Sequence, residues 1–477
     1  MKRILCLFWL VVVLGPPAIA QLLYQRVYGS AGDESWGYLT PVRSGGYLVV
    51  GTQQRLPTGP ADEKLYLVRT NAQGDTLWTR RHKLPGFTGI NVHGICENAA
   101  GQVLIAASGG DLNVGFLDQA MLVLLSPQGD TLWTRKTGGP TNDFYSSLLL
   151  GHDGNFVLTG TLNTFPQWLK VNAAGQVVAQ TNIIYDAAET GGVGSLFKDN
   201  SGLGGYWVVN YKAVTGSARK FLHLTEAGVV DQTKPLYGSG YELIYAVAPL
   251  PNNGGYLMSV EGKLARFTSA LDTVWTKDLR YSNGVVSGFA SAQLVQPLSD
   301  GNCVLAGQFY DSGGYRVYLA KVSPAGQVLR DTVLFRGGGS ETVRGLAVEP
   351  ATGRYVFSGE TAQGPRGGND LFLGIHAPWR VLPARAPAHL YTAPLAAWPI
   401  PVASGHDALH LRAAQPLAGP LTLCDALGRQ VRTWPAVRAA TDAAGQEVSL
   451  AGVPAGLYLL HATDAAGRRY VARVLRE

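Results

Sequence analysis

Two series of recurring stretches, together with a composition poor in charge, predict an all-β fold. The first series opens on a turn glycine: GDTLWTRR at Gly74 and GDTLWTRK at Gly129, then GQVVAQTN at Gly175, GVVDQTKP at Gly228, LDTVWTKD at Leu271 and GQVLRDTV at Gly326. The second runs through SGGYLVVGT, AGQVLIAAS, DGNFVLTGT, LGGYWVVNY, NGGYLMSVE, DGNCVLAGQ and TGRYVFSGE. Only 15% of residues are charged and 60 of 477 are glycine, which suits many short strands joined by tight turns. Together these features predict a seven-bladed β-propeller closed by an N-terminal strand and followed by a small C-terminal β-sandwich.

In chain order the first element is a leader. Residues 1–20 read MKRILCLFWLVVVLGPPAIA, with Lys2 and Arg3 ahead of an apolar run and Ala18-Ile19-Ala20 before Gln21. This is the pattern of a secretory signal peptide, and its apolar core is too short to span a bilayer. Cys6 lies inside that run and not at its end, which disfavours a lipoprotein. No later stretch reaches the length of a membrane span.

The repeats follow over residues 21–378. An alternating run precedes each copy of the first series, as in LYLVRTNAQ and MLVLLSPQ, and a seventh run, DLFLGIHAP, starts at Asp370. Alternation of period two bounded by turn residues reads as strand. Each copy of the second series is preceded by a further candidate strand, such as SWGYLTPV from Ser35 or TVRGLAVEP from Thr342. A unit is therefore four short strands in about 50 residues, the content of a propeller blade. The seventh unit lacks its fourth strand, whereas LLYQRVYGSAGDE, next to the leader, aligns with TLWTRKTGGPTND. Residues 22–28 are expected to complete the last blade and so remove the open edges of the array. Trp78, Trp133 and Trp275 are expected to pack between blades.

Units such as GGYLVVGT…LYLVRTNAQGDTLWTRR resemble a broad class of secreted bacterial propellers, similar in look to the tryptophan-bearing blades of quinoprotein-like propellers. The resemblance spans roughly residues 22 to 378 and implies fold, not activity. Quinoprotein dehydrogenases use adjacent cysteines that this chain lacks, so their cofactor is not implied and no cofactor is expected.

From Ala377 to Pro401 the chain carries six prolines, and residues 379–394 read as an extended, semi-rigid linker. Residues 395–477 hold the short alternating stretches ALHLRA, LTLCDA, EVSLAG, GLYLLHAT and YVARVLR, which suit a small sandwich. Asp425 and Gly428 suit a tight turn, Gly456 a backbone conformation closed to other residues, and Tyr458 the start of an alternating edge. This segment closely resembles the type A sorting domain of the type IX secretion system of certain Gram-negative bacteria. Trp398-Pro399-Ile400-Pro401 stands where that family has an aromatic followed by Pro-Asn-Pro, with Ile400 in place of the Asn. CDALGRQV matches its Asp-x-x-Gly-Arg turn, and LAGVPAGLYLLHAT with RRYVARVLR its closing hairpin. The resemblance implies the type IX machinery as partner, passage across the outer membrane via the periplasm, removal of the domain, and release or attachment at the cell surface.

Chemistry is sparse. Removing Lys2 and Arg3 takes 39 basic residues to 37 against 33 acidic ones, a net charge of +4, which is no nucleic-acid footprint. Cys96, Cys303 and Cys424 show no paired spacing, so neither a disulfide framework nor a zinc site is indicated. The fragments SLFK at Ser195, YSN at Tyr281 and KTG at Lys136 occur in the wrong order for a serine β-lactamase-type site and fall in repeat slots. His406 and His410 lie in a segment that reads as strand, which separates them for metal ligation, and no metal is expected. DLNVGFLD from Asp111 lacks the later Glu of a calcium loop and reads as a surface hairpin.

The most repetitive polar feature is an acid just before the first strand of a unit: Asp33 or Glu34, Asp143, Glu189, Glu242 and Glu341. These five positions form a candidate ligand-binding rim for a cation or a polyhydroxylated ligand. The favoured account is local, each carboxylate accepting backbone N–H bonds in its own turn. The sequence thus favours an exported binding or adhesion module for a glycan or protein ligand over a glycan-cleaving enzyme, and no catalytic residue is assigned.

Overall fold

The structure, a computed structural model, describes residues 22–477 apart from 55–61, 112–117, 140, 184–191, 212–218, 237–243, 261–262, 283–286, 312–313, 335–339, 363, 365–367, 380–392, 404, 414–416, 418–419, 426–429, 436–445 and 465–468. The chain divides into two compact units, Met1–Trp379 and Arg380–Glu477.

The first unit is all-β and propeller-like. Its described residues form seven antiparallel sheets, met in chain order as sheets 1 to 7. Sheet 1 is a meander of Glu34–Pro41, Tyr47–Gln53, Lys64–Thr70 and Thr76–His82. The first strands of the other six are Gly89–Glu97, Phe144–Leu150, Gly192–Lys198, Ile244–Pro249, Ser287–Pro297 and Glu341–Val348. Sheet 6 departs from the expected four strands. Its first strand runs to 11 residues, and the protruding start pairs with a short strand, Arg280–Ser282, which makes five.

The second and third strands of each sheet are almost wholly buried, as in Tyr47–Gln53 and Lys64–Thr70, because both their faces meet neighbouring sheets. Seven apolar clusters result, one for each successive pair of sheets. The seventh joins sheet 7 to sheet 1 through Tyr28, Val68, Leu371 and Leu373. Leu22–Tyr28 supplies the fourth strand of sheet 7, antiparallel to Asp370–His376. The Tyr28 hydroxyl donates to the Gly74 carbonyl at 2.6 Å, and Arg26 meets Asp75 at 2.9 Å.

That contact between the last sheet and the first shows why the GDTLWTR stretch recurs. Its glycine sits in the turn between third and fourth strands with a left-handed φ of 82° at Gly74 and 84° at Gly129, which a side chain would strain. Its tryptophan and arginine reach the same turn of the next sheet. Trp78 lies against Gly129, Arg80 pairs with Asp130, and Trp133 Nε1 donates to Ala173 O at 2.9 Å. Trp275 packs likewise on Gly326. One copy carries Leu271 at φ 64° in the glycine's place; the cost of that conformation is offset by burial of its side chain in the cluster between sheets 4 and 5. The tyrosine of the GGY stretches ties the opposite neighbour: Tyr206 accepts from His152 N at 3.2 Å and Tyr256 from Asn200 N at 2.6 Å. Buried cations on third strands add further ties. Lys170 bridges Asp153 of its own sheet at 3.1 Å and Glu226 of the next.

The second unit consists of a five-stranded and a three-stranded sheet whose apolar residues form a single cluster including Leu409, Leu423, Leu460 and Val474.

Candidate functional site

Every first strand breaks its ladder once. The register jumps between Val92 and Gly94, Tyr145 and Ser147, Ile244 and Ala246, Ala292 and Leu294, and Val343 and Gly345. Sheets 1 and 4 skip two residues at the same place, between Ser35 and Tyr38 and between Val193 and Leu196. A β-bulge leaves its extra residue outside the ladder and re-aims it. The residues set free are Trp36 and Gly37, His93, Ser146, Gly194 and Ser195, Tyr245, Gln293 and Arg344.

These positions converge. A cavity of about 490 Å³ is lined by residues from all seven first strands, among them Tyr38, His93, Ser195, Tyr245, Gln293 and Arg344. Arg344 meets Glu360 at 3.3 Å, and its guanidinium lies 4.6 Å from the centre of the Trp36 ring. Glu360 also accepts from Trp36 N at 2.6 Å, so one carboxylate holds both bulges at the junction of sheets 7 and 1. Burial raises the Tyr38 hydroxyl above the usual tyrosine range, an effect the nearby Arg344 opposes. His93 shares a hydrogen bond of 2.8 Å between Nε2 and Ser108 Oγ, and burial depresses it to about 4, so the ring is neutral at neutral pH. Gln293 Nε2 donates to Gln308 at 2.8 Å, and Ser195 Oγ to Ile244 O at 2.6 Å. Tyr245 is 47% exposed. A smaller cavity of about 240 Å³ near Arg43, Trp78 and Glu97 belongs to the ties between sheets 1 and 2.

The acids singled out in the sequence lie at the starts of first strands, and Asp33, Glu34 and Asp143 accept from loop groups, in the case of Asp33 from a loop of sheet 7. Asp143 is fully buried and accepts from Gly139 N and Asn163 N, both at 2.7 Å, and from Thr141 Oγ1 at 2.9 Å. Asp33 accepts from Asn369 N at 2.8 Å. Glu34, also buried, takes bonds from Ser30 and Gln53. Glu341 is 1% exposed. Glu189 and Glu242 lie outside the described residues, as does most of the stretch 111–118. None of the described four lines the cavity. Among the described residues no group of three His, Cys, Asp or Glu side chains could hold a metal, and no helix is long and apolar enough to cross a membrane.

In the second unit, Pro399 and Pro401 follow the strand Ala396–Trp398, and the Trp398 ring stacks on His410 at 5.7 Å. Asp425 ends the strand Leu421–Asp425 opposite Tyr458. Gly428 is outside the described residues. Two local expectations are corrected. The described left-handed glycines here are Gly405 and Gly452, with φ 86° and 73°, whereas Gly456 lies outside that region, and a Cβ on it would crowd the Tyr458 ring and hydroxyl at 3.3–3.4 Å. The strand Gly456–Thr463 alternates in burial but is the middle of five strands, not an edge, because both its neighbours carry complementary apolar faces.

No family model matches the chain, and no curated protein does. Solved structures with similar backbones include a catalytically inactive virginiamycin B lyase from Staphylococcus aureus with quinupristin, at TM-score 0.48 and 9% identity over 73% of this chain and 98% of that one. PorZ, a surface component of the type IX secretion system of Porphyromonas gingivalis, is similar at TM-score 0.40 and 11% identity over 95% of this chain and 70% of its own. A protein of unknown function from Bacteroides caccae is similar at 0.37 and 14%, over 65% and 93%.

Proposed function

We propose that this chain is an exported bacterial binding module whose ligand enters the central cavity. In this reading residues 1–20 are a signal peptide and 21–378 a seven-bladed β-propeller closed by the N-terminal strand. Residues 379–394 are a linker, and 395–477 a β-sandwich that acts as a type IX sorting domain. Its destination is the cell surface or the medium, by way of the periplasm. The observation that carries the binding role is the seven bulges. Outer strands and turns hold repeated residues that serve the ring, whereas the bulge slot carries a different side chain in nearly every sheet, and six of the seven slots open on one space, sheet 1 reaching it through Tyr38 next to its bulge. Packing does not demand that variety; a ligand does. The recurrent acids, including Asp33, Asp143 and Glu341, serve to order loops.

A second reading, glycan cleavage, draws on the same cavity, because Tyr38 and the neutral His93 are groups that can move protons. A glycan array with product analysis on the mature chain separates the two. Binding that is abolished by filling the cavity, for example with Ser195→Trp, and that yields no product supports the module. Release of product supports the enzyme. Unchanged binding by a folded cavity-filled variant would sink both. For export, deletion of residues 395–477 should trap the propeller in the periplasm, and normal surface appearance after that deletion would remove the sorting role.

A further inference from the structure

We infer that the central cavity recognises a carboxylate-bearing sugar chain, with Arg344 as the contact for the carboxylate. This rests on the reading of the cavity as a binding site and adds the class of ligand. Three observations carry it.

First, Arg344 is the one formally charged side chain among the described residues that line the cavity, and no Asp or Glu lines it. A polar lining with one cation, offset in part by the Glu360 carboxylate outside the lining, disfavours cations and admits a single negative charge. Second, the guanidinium is held but not used up. Glu360 approaches one terminal nitrogen at 3.3 Å, longer than the 2.7–2.9 Å typical of a strong charged hydrogen bond. Nε is shielded from solvent with no hydrogen-bond partner among the described residues, which leaves the terminal nitrogens for a ligand, and the Trp36 ring packs 4.6 Å from the guanidinium carbon. The terminal edge of the fork, engaged by Glu360 through one nitrogen only, therefore keeps donors for the oxygens of a carboxylate. A phosphate or sulfate dianion would call for a second cation, and the cavity offers none. Third, the other polar side chains of an otherwise largely aliphatic lining are neutral and can donate or accept, among them Gln293, Ser195, the uncharged His93 and the half-exposed Tyr245. Sugar hydroxyls need that mixture, and a tyrosine face suits a sugar's C–H surface. The volume of about 490 Å³ lies within the range of roughly 300–1,000 Å³ common for small-molecule sites.

The test is calorimetric titration of the mature chain with short oligomers of galacturonate, guluronate and glucuronate, each beside its methyl ester, and with triglutamate. At least one acid should bind roughly ten- to a hundredfold more tightly than its ester, the worth of one charged hydrogen-bond pair. Arg344→Gln should abolish that preference, Gln293→Ala should weaken acid and ester alike, and Arg330→Gln on an outer strand should do neither. Should Arg344→Gln fail to fold, because it also positions Glu360, the comparison of acid with ester on the unaltered chain decides alone. Equal binding of acid and ester, tighter binding of triglutamate, or full affinity in folded Arg344→Gln overturns the inference. Neutral glycans bound in the cavity without preference for an acid would leave the binding module standing and remove only this assignment; absence of binding by all three acids removes it as well.

Discussion

Replacing Tyr28 by Ala tests whether the N-terminal strand closes the ring. Tyr28 is 4% exposed, and its ring packs in the cluster that joins sheets 7 and 1. Burial pushes its hydroxyl well above the usual tyrosine range, so it stays protonated and donates to Gly74 O at 2.6 Å. Truncating a buried large aromatic costs about 3–5 kcal/mol. With an unfolding entropy of about 2.1 cal/mol/K per residue, a ring of residues 22–378 carries roughly 0.75 kcal/mol/K, so about 4 kcal/mol lowers Tm by about 5 °C. Tyr28→Phe removes only the hydrogen bond, about 0.5–1.5 kcal/mol, and should lower Tm by roughly 1–2 °C. Leu23→Ala, on the same strand but 37% exposed, should move it by less than about 1 °C. Scanning calorimetry of residues 22–477 reads all three. If Tyr28→Ala melts within a degree of the unaltered protein, the strand does not close the ring and the argument fails.

Three further outcomes are expected. Trp133→Ala should lower stability by about 2 kcal/mol, seen as a reduced urea midpoint at unchanged m, because its ring covers Gly175 and its Nε1 binds Ala173 O at 2.9 Å; an unchanged midpoint would detach the repeated Trp from the packing between sheets. Asp143→Ala should cost about 3 kcal/mol and speed proteolysis near Gly139, since two backbone N–H groups and the Thr141 hydroxyl lose their acceptor, while affinity for a ligand of the cavity stays within twofold. His93 has a folded value of about 4 against 6.5 unfolded, so the folded state binds its proton less readily. Its contribution is therefore complete above pH 6.5 and is lost as pH falls from 6.5 towards 4, on the order of 2 kcal/mol after allowance for partial exposure. His93→Gln should flatten urea midpoints across that window, and parallel pH profiles would contradict it.

Much of the ring is legible because the residues that build it sit in regular strands and fixed turns. Gly74, Trp78 and Arg80 recur at fixed spacing since each serves a turn or a neighbour that also recurs. The buried Lys170 is less legible: its charge reads as a solvated face, and only the fold brings Asp153 and Glu226 to it. Burial opposes ionisation of Asp153, but bonds from Asn155 and Lys170 outweigh it and hold the carboxyl below the usual range. The cavity is the least legible part. A search by alternation treats an interruption as noise, and each bulge is an interruption of one or two residues. A signal was nevertheless present, because the residue before a Gly is His93 in one first strand and Arg344 in another, at the one slot where the copies disagree in chemistry. The acids at 33, 143 and 341 recur more regularly, and that regularity itself marks them as serving the scaffold.

The physical reason for this division lies in what each slot must satisfy. A residue inside a ladder fixes strand register and packs on a neighbouring sheet, so its size and polarity answer to seven-fold repetition. A bulged residue is released from both duties. Its backbone is outside the pairing, and in six of the seven sheets it lines the cavity, although Trp36 and Ser195 also touch the sheet next to their own. Trp36, His93, Tyr245, Gln293 and Arg344 can therefore differ without cost to the ring, and the chain departs from its own repeat where the fold least resists departure. The coupling that remains is local. Glu360 holds Trp36 N at 2.6 Å and Arg344 at 3.3 Å, so the cation of the cavity is set by the same contact that joins sheet 7 to sheet 1. Loosening the closure through Tyr28 should then disturb Arg344 before it disturbs Gln293 or Tyr245, which belong to sheets 6 and 5 and not to that junction.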